Sequence, residues 1–232
     1  MPGTDGREGR SALWFASGNA HKRAELSRIL AGRGLSVRLL GPEDGVPGFD
    51  PEETENSFVG NALLKAGALH ALLCKERPPL YREGQPILAD DSGLCVDALD
   101  GRPGILSARY AGPETGSGSA GRKLDSGRRN ELLLAELGDN PLRRARFVCA
   151  VALFFAPEDF FVFQQTFEGE IVLPGKAAGN AGFGYDPIFF LPELGRTAAE
   201  LSEAEKDRLS HRGKALRYAA PVLKERLSII QG

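Results

Sequence analysis

Cysteine, methionine, tryptophan and histidine are all scarce in this 232-residue chain, which has three Cys, one Met, one Trp and three His. Cys74, Cys95 and Cys149 are odd in number and stand in neither CxxC nor CxxxH spacing, which argues against a disulfide framework and against a zinc site. A reducing cytoplasm is the expected compartment. An excess of one charge is also lacking: 29 Lys and Arg face 31 Asp and Glu, giving a net charge of −2 and a pI near 6.0. That balance removes the global electrostatic case for a nucleic-acid partner or an anionic membrane, so any anion site must be local. Long apolar runs are missing too. The longest, Phe147 to Phe155, is about half of what a membrane helix needs and is stopped by Pro157-Glu158-Asp159. Met1 to Arg10 is rich in Gly and charge without the apolar stretch of a signal peptide, and is expected to be a frayed tail.

What is present fits a folded α/β chain. A hydrophobic content of 42% is ordinary for a protein with a real core. Leu13 to Ala16 reads as a buried strand, Ser17-Gly18-Asn19 as a turn, and Ala20 to Leu30 as a helix with Leu26, Ile29 and Leu30 on one face. Val37 to Leu40 reads as a second strand and Asn56 to Cys74 as a second helix. A short apolar run, Ile87-Leu88-Ala89, then closes on Asp90-Asp91-Ser92-Gly93, where the strand is expected to break into a turn. Arg146 to Phe155 and Phe160 to Val172 are rich in Phe and Val, the signature of two long antiparallel strands. The stretch 112–127 is Gly/Ser-rich and reads as a mobile loop before a helix around Asn130 to Leu137. Ser202 to Glu205 is a capping-box pattern, and a final helix is predicted from Ser210 to Leu227, with Pro221 kinking it or ending it early. Residues 11–232 are thus expected to form one domain.

Four segments carry candidate chemistry. Two adjacent carboxylates, Asp90 and Asp91, at the edge of a core need a cation or hydrogen-bond donors, and a divalent metal is the commonest compensation; a polar turn capping the strand is the competing reading. Ser17-Gly18-Asn19-Ala20-His21-Lys22 hands a strand over to a helix, so backbone N–H groups and the positive end of the helix dipole point outward. Either an anion sits there or Lys22 is merely solvated. Ser210-His211-Arg212-Gly213, with Lys206 about one turn earlier, suits a phosphate or a purine carbonyl; an exposed polar histidine is the competing reading. Phe183-Gly184-Tyr185-Asp186 follows a glycine-rich approach that lets backbone come close to a ligand and presents an aromatic ring for stacking; an aromatic plug in a turn is the competing reading. Gly116 to Lys123 only superficially resembles a P-loop, because Lys does not directly follow the second Gly and no strand precedes it.

Taken in order, Ser-Gly-Asn-x-x-Lys, Ala-Asp-Asp-Ser-Gly-Leu, Pro103 to Tyr110, Gly-Phe-Gly-Tyr-Asp-Pro and Ser-His-Arg-Gly-Lys-Ala-Leu resemble the inosine triphosphate pyrophosphatase family over nearly the whole chain, Leu13 to Leu227. The resemblance implies an α/β fold with a long twisted mixed sheet flanked by helices, two lobes with a nucleotide cleft between them, a homodimer, and Mg²⁺-dependent hydrolysis of ITP, dITP and XTP to the monophosphate and pyrophosphate. It places a phosphate-binding loop on Ser17 to Lys22 and metal carboxylates on Glu52 and Asp91, assisted by Asp90. Asp91 would be the catalytic base, with Asp90 as the alternative. Ser92 would contact the ligand, Lys65 the phosphates, Phe183 to Asp186 the base, Lys206 base or phosphate, and His211-Arg212 the purine carbonyl edge. Gly60 departs from the Glu usual in this family. That departure favours the rival reading of a nucleotide-binding regulator without turnover; a nucleic-acid-binding module is disfavoured by the acidic pI.

Overall fold

The computed structural model describes residues 12–112, 124–179 and 184–230. The expected N-terminal tail, most of the Gly/Ser-rich loop and Phe183 lie outside the described residues. Seven strands form a mixed sheet in the order β2-β1-β3-β4-β5-β6-β7. By internal packing the chain divides into two units, one of Met1–Asp91, Ala150–Gln164 and Ala215–Gly232, the other of Ser92–Cys149 and Gln165–Lys214.

The first unit opens with β1 (Ala12–Phe15), α1 (Ala20–Gly32), β2 (Arg38–Leu40), α2 (Phe58–Glu76) and the start of β3 (Ile87–Val96). β1 pairs in parallel with β2 on one side and β3 on the other. The chain therefore crosses from β1 to β2 in one direction and from β2 back past β1 to β3 in the other. Crossovers between parallel strands are right-handed, so this reversal puts α1 and α2 on opposite faces of the sheet. Each helix turns an apolar stripe inward. On α2 the stripe is Phe58, Ala62, Ala66, Leu69 and Leu73, spaced by three or four residues, all buried. Burying each Leu or Phe contributes roughly 1.5–3 kcal/mol. Asn61 and Lys65, four residues apart and one position before Ala62 and Ala66, share a neighbouring strip of the helix and are buried with it.

β3 corrects the sequence reading most plainly. It does not break at Asp90-Asp91-Ser92-Gly93 but runs unbroken through these residues to Val96. Asp, Ser and Gly favour turns locally, yet here the sheet position and the lysines described below override that preference. β4 (Arg144–Ala156) and β5 (Asp159–Ile171) are the two expected long strands, joined by only two residues and hence antiparallel. β4 is buried almost continuously from Phe147 to Phe154 apart from its ends, as a strand covered on both faces should be.

The second unit has its own core, including Leu94, Val96, Tyr110, Leu133, Phe147, Phe167, Tyr185 and Phe189. It contains α3 (Ser126–Leu137), capped by Asp125, whose side chain accepts from the Arg128 amide at 2.9 Å. β6 (Phe189–Leu191) and β7 (Arg196–Thr197) continue the sheet antiparallel. α4 (Glu203–Leu209) has the expected capping box, with Ser202 and Glu205 each satisfying the other's backbone amide. α5 (His211–Ile230) passes through Pro221 and continues for nine more residues, so the proline does not end it early. Pro221 is exposed, and on the solvent side of a helix the loss of one N–H donor costs less than it would in the core. Among the described residues no helix is long and apolar enough to cross a membrane.

Candidate functional site

In open α/β sheets, ligands sit beyond the carboxyl ends of the strands where the direction of winding reverses. Here that point lies between β1 and β3. The Ala16 amide, just past β1, still bonds the Leu88 carbonyl at 2.8 Å; from there the chain leaves the sheet as Ser17-Gly18-Asn19 while β3 continues to Asp90 and Asp91. Asn19 is the N-cap of α1, its side chain accepting from the Lys22 amide at 3.1 Å, and Ser17 Oγ accepts from the Asn19 amide at 3.2 Å. No acidic residue stands in the first turn of α1. Gly18, Ala20 and His21 are exposed.

The two aspartates are 2% and 5% exposed. Successive side chains of a strand point to opposite faces, so each meets the helix of its own face. Lys22 of α1 reaches Asp90, with Nζ 3.0 Å from Oδ2 and 3.1 Å from Oδ1. Lys65 of α2 reaches Asp91 Oδ1 at 3.0 Å and also Glu53 Oε1 at 2.8 Å. Asn61 completes this second group: its Oδ1 accepts from the Glu55 amide at 3.1 Å, which turns its Nδ2 toward Asp91 Oδ2 at 3.4 Å. Burial pushes the Asp91 carboxyl above its ordinary value, with Lys65 opposing and Glu53 adding to the rise. Burial would lower the Lys65 ammonium, but Asp91, Asp90 and Glu53 outweigh it and hold the pKa above the usual lysine value.

Glu53, rather than Glu52, is thus the loop carboxylate brought to Asp91; Glu52 is exposed. Sequence reasoning left Glu53 and Asn61 unassigned. The four-residue spacing of Asn61 and Lys65 beside the apolar stripe of α2 marks a shared strip of the helix, but nothing in the sequence names the partners of that strip. The Gly60 departure is filled from the same loop: a Cβ there would lie 2.8 Å from Glu55 Cβ. Gly60 is otherwise an ordinary first-turn residue, its amide bonded to the Ser57 cap at 3.0 Å.

The remaining candidates gather in the second unit. Lys206 of α4 pairs with buried Asp186 at 2.5 Å. Arg212 donates through Nη2 to Ser92 Oγ at 3.1 Å. His211 is buried and stacks on Phe147, with ring centroids 5.0 Å apart and planes 11° from parallel. A side chain on Gly213 would overlap the Asp207 carbonyl, so glycine lets the start of α5 pack directly on α4. Tyr185 does not offer its ring as a free stacking surface. It is 3% exposed within the core, and its hydroxyl donates to the Ser107 carbonyl at 2.8 Å. Burial pushes its phenol up, against an opposing effect of Arg129. Gly184, at φ +70°, makes the left-handed bend that admits this arrangement.

A reversal of winding, a capped helix directly after β1 and two buried aspartates on β3 define an α/β protein with its charged groups gathered where such folds hold ligands. The chain belongs to the Ham1 family, whose model matches residues 13–222. A dITP/XTP pyrophosphatase of Treponema denticola is 40% identical over 204 residues, covering 88% of this chain and 94% of that protein. One of Halalkalibacterium halodurans is 44% identical over 204 residues, covering 87% and 93%. Among solved structures, the Ham1 protein of Staphylococcus aureus superposes with a TM-score of 0.74 at 36% identity, covering 93% of this chain and 99% of that one. A nucleoside-triphosphatase, dITP/XTP pyrophosphatase, of Mycobacterium abscessus gives 0.65 at 42% identity, covering 91% and 99%.

Proposed function

We propose that this protein is a nucleoside triphosphate pyrophosphatase that hydrolyses ITP, dITP and XTP to the monophosphate and pyrophosphate, with Mg²⁺ as cofactor. The observation that carries the reading is the buried Asp91, tied to Lys65 and through it to Glu53 at the point where the winding reverses. Relatives named dITP/XTP pyrophosphatase at 40–44% identity over most of the chain support the substrate class.

The donor set suits magnesium: Glu53 and Asp91 bring hard carboxylate oxygens to one ammonium, and Mg²⁺ in nucleotide sites is held by one or two carboxylates together with phosphate oxygens and water. Bound there, the metal would neutralise phosphate charge and orient the phosphorus. Asp91, whose proton affinity is raised by burial, is suited to take a proton from the attacking water. Asp90, held by Lys22 on the other face, is less suited to that role. Lys22 and Lys65 offset phosphate charge, and Arg212 presents donors to a purine carbonyl. The resemblance, together with exposed Phe160, Phe161 and Tyr218, supports a homodimer, which sedimentation velocity tests; three unlinked cysteines support a cytoplasmic setting.

The test is incubation with ITP, XTP, ATP and GTP plus Mg²⁺, measuring pyrophosphate separately from phosphate. Keto purines should release pyrophosphate, a chelator should stop it, and Asp91→Asn should abolish it while the circular dichroism spectrum is kept. Turnover in Asp91→Asn within a few-fold of the parent would remove Asp91 from the mechanism.

A further inference from the structure

Two consecutive residues of α3, Arg129 and Asn130, reach the Gly184–Asp186 segment, and both are buried, at 5% and 8% exposure. Asn130 Nδ2 donates to the Gly184 carbonyl at 3.1 Å. A carboxamide has one donor end and one acceptor end, so a nitrogen committed to a carbonyl fixes which end is which. The acceptor, Oδ1, is buried and has no hydrogen-bond partner among the described residues. Arg129 is anchored by the Leu124 carbonyl at 2.5 Å and by Ser126 Oγ at 3.1 Å, and its charge acts on the Tyr185 phenol, lowering a pKa that burial raises. α3 thus holds Gly184 by its backbone and sets a guanidinium near the Tyr185 phenol, and the next residue, Asp186, is the partner of Lys206.

An asparagine serving the fold alone would have both ends satisfied, because a buried carbonyl left without a donor is costly. This buried, unpartnered acceptor belongs to a side chain bonded to the segment read above as base-binding. Hypoxanthine and xanthine carry a hydrogen on N1, whereas adenine has a lone pair there. An acceptor therefore favours the first two and is left unmatched by the third. We propose that Asn130 is a specificity-determining residue: its Nδ2 positions the Gly184–Asp186 segment, and its Oδ1 is the acceptor completed by the N–H of a bound keto purine.

This inference rests on the function proposed above, and the experiment separates the two. kcat/KM is measured for ITP and ATP in the parent, Asn130→Leu and Asn130→Asp. The control is Leu133→Ala, a fully buried core residue one turn along the same helix. Loss of one matched hydrogen bond is expected to lower the ITP-to-ATP ratio by about 5- to 100-fold in Asn130→Leu, chiefly through KM for ITP. Asn130→Asp keeps an acceptor but sets a second one against the Gly184 carbonyl, so its ratio should also fall. Leu133→Ala should lower the melting temperature and leave the ratio alone. Should the Asn130 variants not fold, the side-chain amide resonances of Asn130 in the parent serve instead, and saturation with inosine monophosphate should shift them. A parent that releases no pyrophosphate from ITP overturns the proposed function. A parent that does, with the ratio unmoved in folded variants, moved equally by Leu133→Ala, or with no shift on saturation, overturns the role of Asn130 alone.

Discussion

Replacing Lys65 with methionine removes one cation while keeping most of the length and apolar stem of the side chain. In the parent that ammonium is 3.0 Å from Asp91, which is 5% exposed, and 2.8 Å from Glu53, whose side chain is 27% exposed. Breaking a buried pair by removing one partner costs about 3–5 kcal/mol, because the other charge is left uncompensated. The more exposed Glu53 contact adds at most about 1 kcal/mol. For a chain of this size 3 kcal/mol corresponds to a fall of roughly 6–12 °C in melting temperature. The loss should depend on pH with a definite sign. Burial already raises the Asp91 pKa, and Lys65 opposes that rise, so the variant's carboxyl moves higher still. The folded chain then binds this proton more tightly than the unfolded chain does. Stability is therefore greatest below the ordinary carboxylate range and is lost as pH rises through the raised pKa. Urea unfolding of parent and Lys65→Met at pH 5 and pH 8 should show the larger difference at pH 8. The acid limb of kcat/KM for ITP should shift upward in the variant, since Asp91 must be ionised to accept a proton. An equal loss of stability at both pH values with an unmoved acid limb would refute the assignment of Lys65 as the charge partner of Asp91.

Two further perturbations follow from the same geometry. Arg212→Ala should lower kcat/KM for ITP far more than for ATP, because its paired donors match a carbonyl and not an amine; equal losses on both substrates would make it a phosphate ligand instead. Gly60→Ala gains about 1 kcal/mol of helix propensity but sets a Cβ 2.8 Å from Glu55 Cβ, so alone it should fail to stabilise the protein. In a Glu55→Gly background the same change should raise the urea midpoint, and its failure to do so would show that Glu55 does not fill that space.

The parts of this fold that the sequence disclosed are those where local pattern and tertiary context agree. The strand, turn and helix from Leu13 to Leu30, the Ser202 capping box and the Phe-rich hairpin all satisfy their own residues' preferences. β3 was misread because Asp-Asp-Ser-Gly has turn chemistry, and only lysines from helices far away in the chain make it tolerable inside a sheet. Asn61 escaped notice for a similar reason: a buried asparagine acquires meaning from what its two ends touch, here the Glu55 amide and Asp91, and neither contact has a sequence signature. Pro221 shows the reverse case, a strong local signal muted because it falls on the solvent side of α5.

The unbroken run of β3 through Asp90 and Asp91 makes the site a matter of parity. Which lysine each aspartate meets depends only on whether an odd or even number of residues separates it from the last fixed pairing with β1, at Leu88. Inserting one residue after Leu88 would exchange the faces of the two carboxylates, sending Asp91 to the α1 side and Asp90 toward α2, with the amino-acid composition of the site unchanged. Inserting two would restore each to its own face, displaced along the strand by about 7 Å. Length changes here are thus graded by their remainder on division by two as much as by their size, and lineages of this fold can lengthen that strand only in pairs if each aspartate is to keep its face.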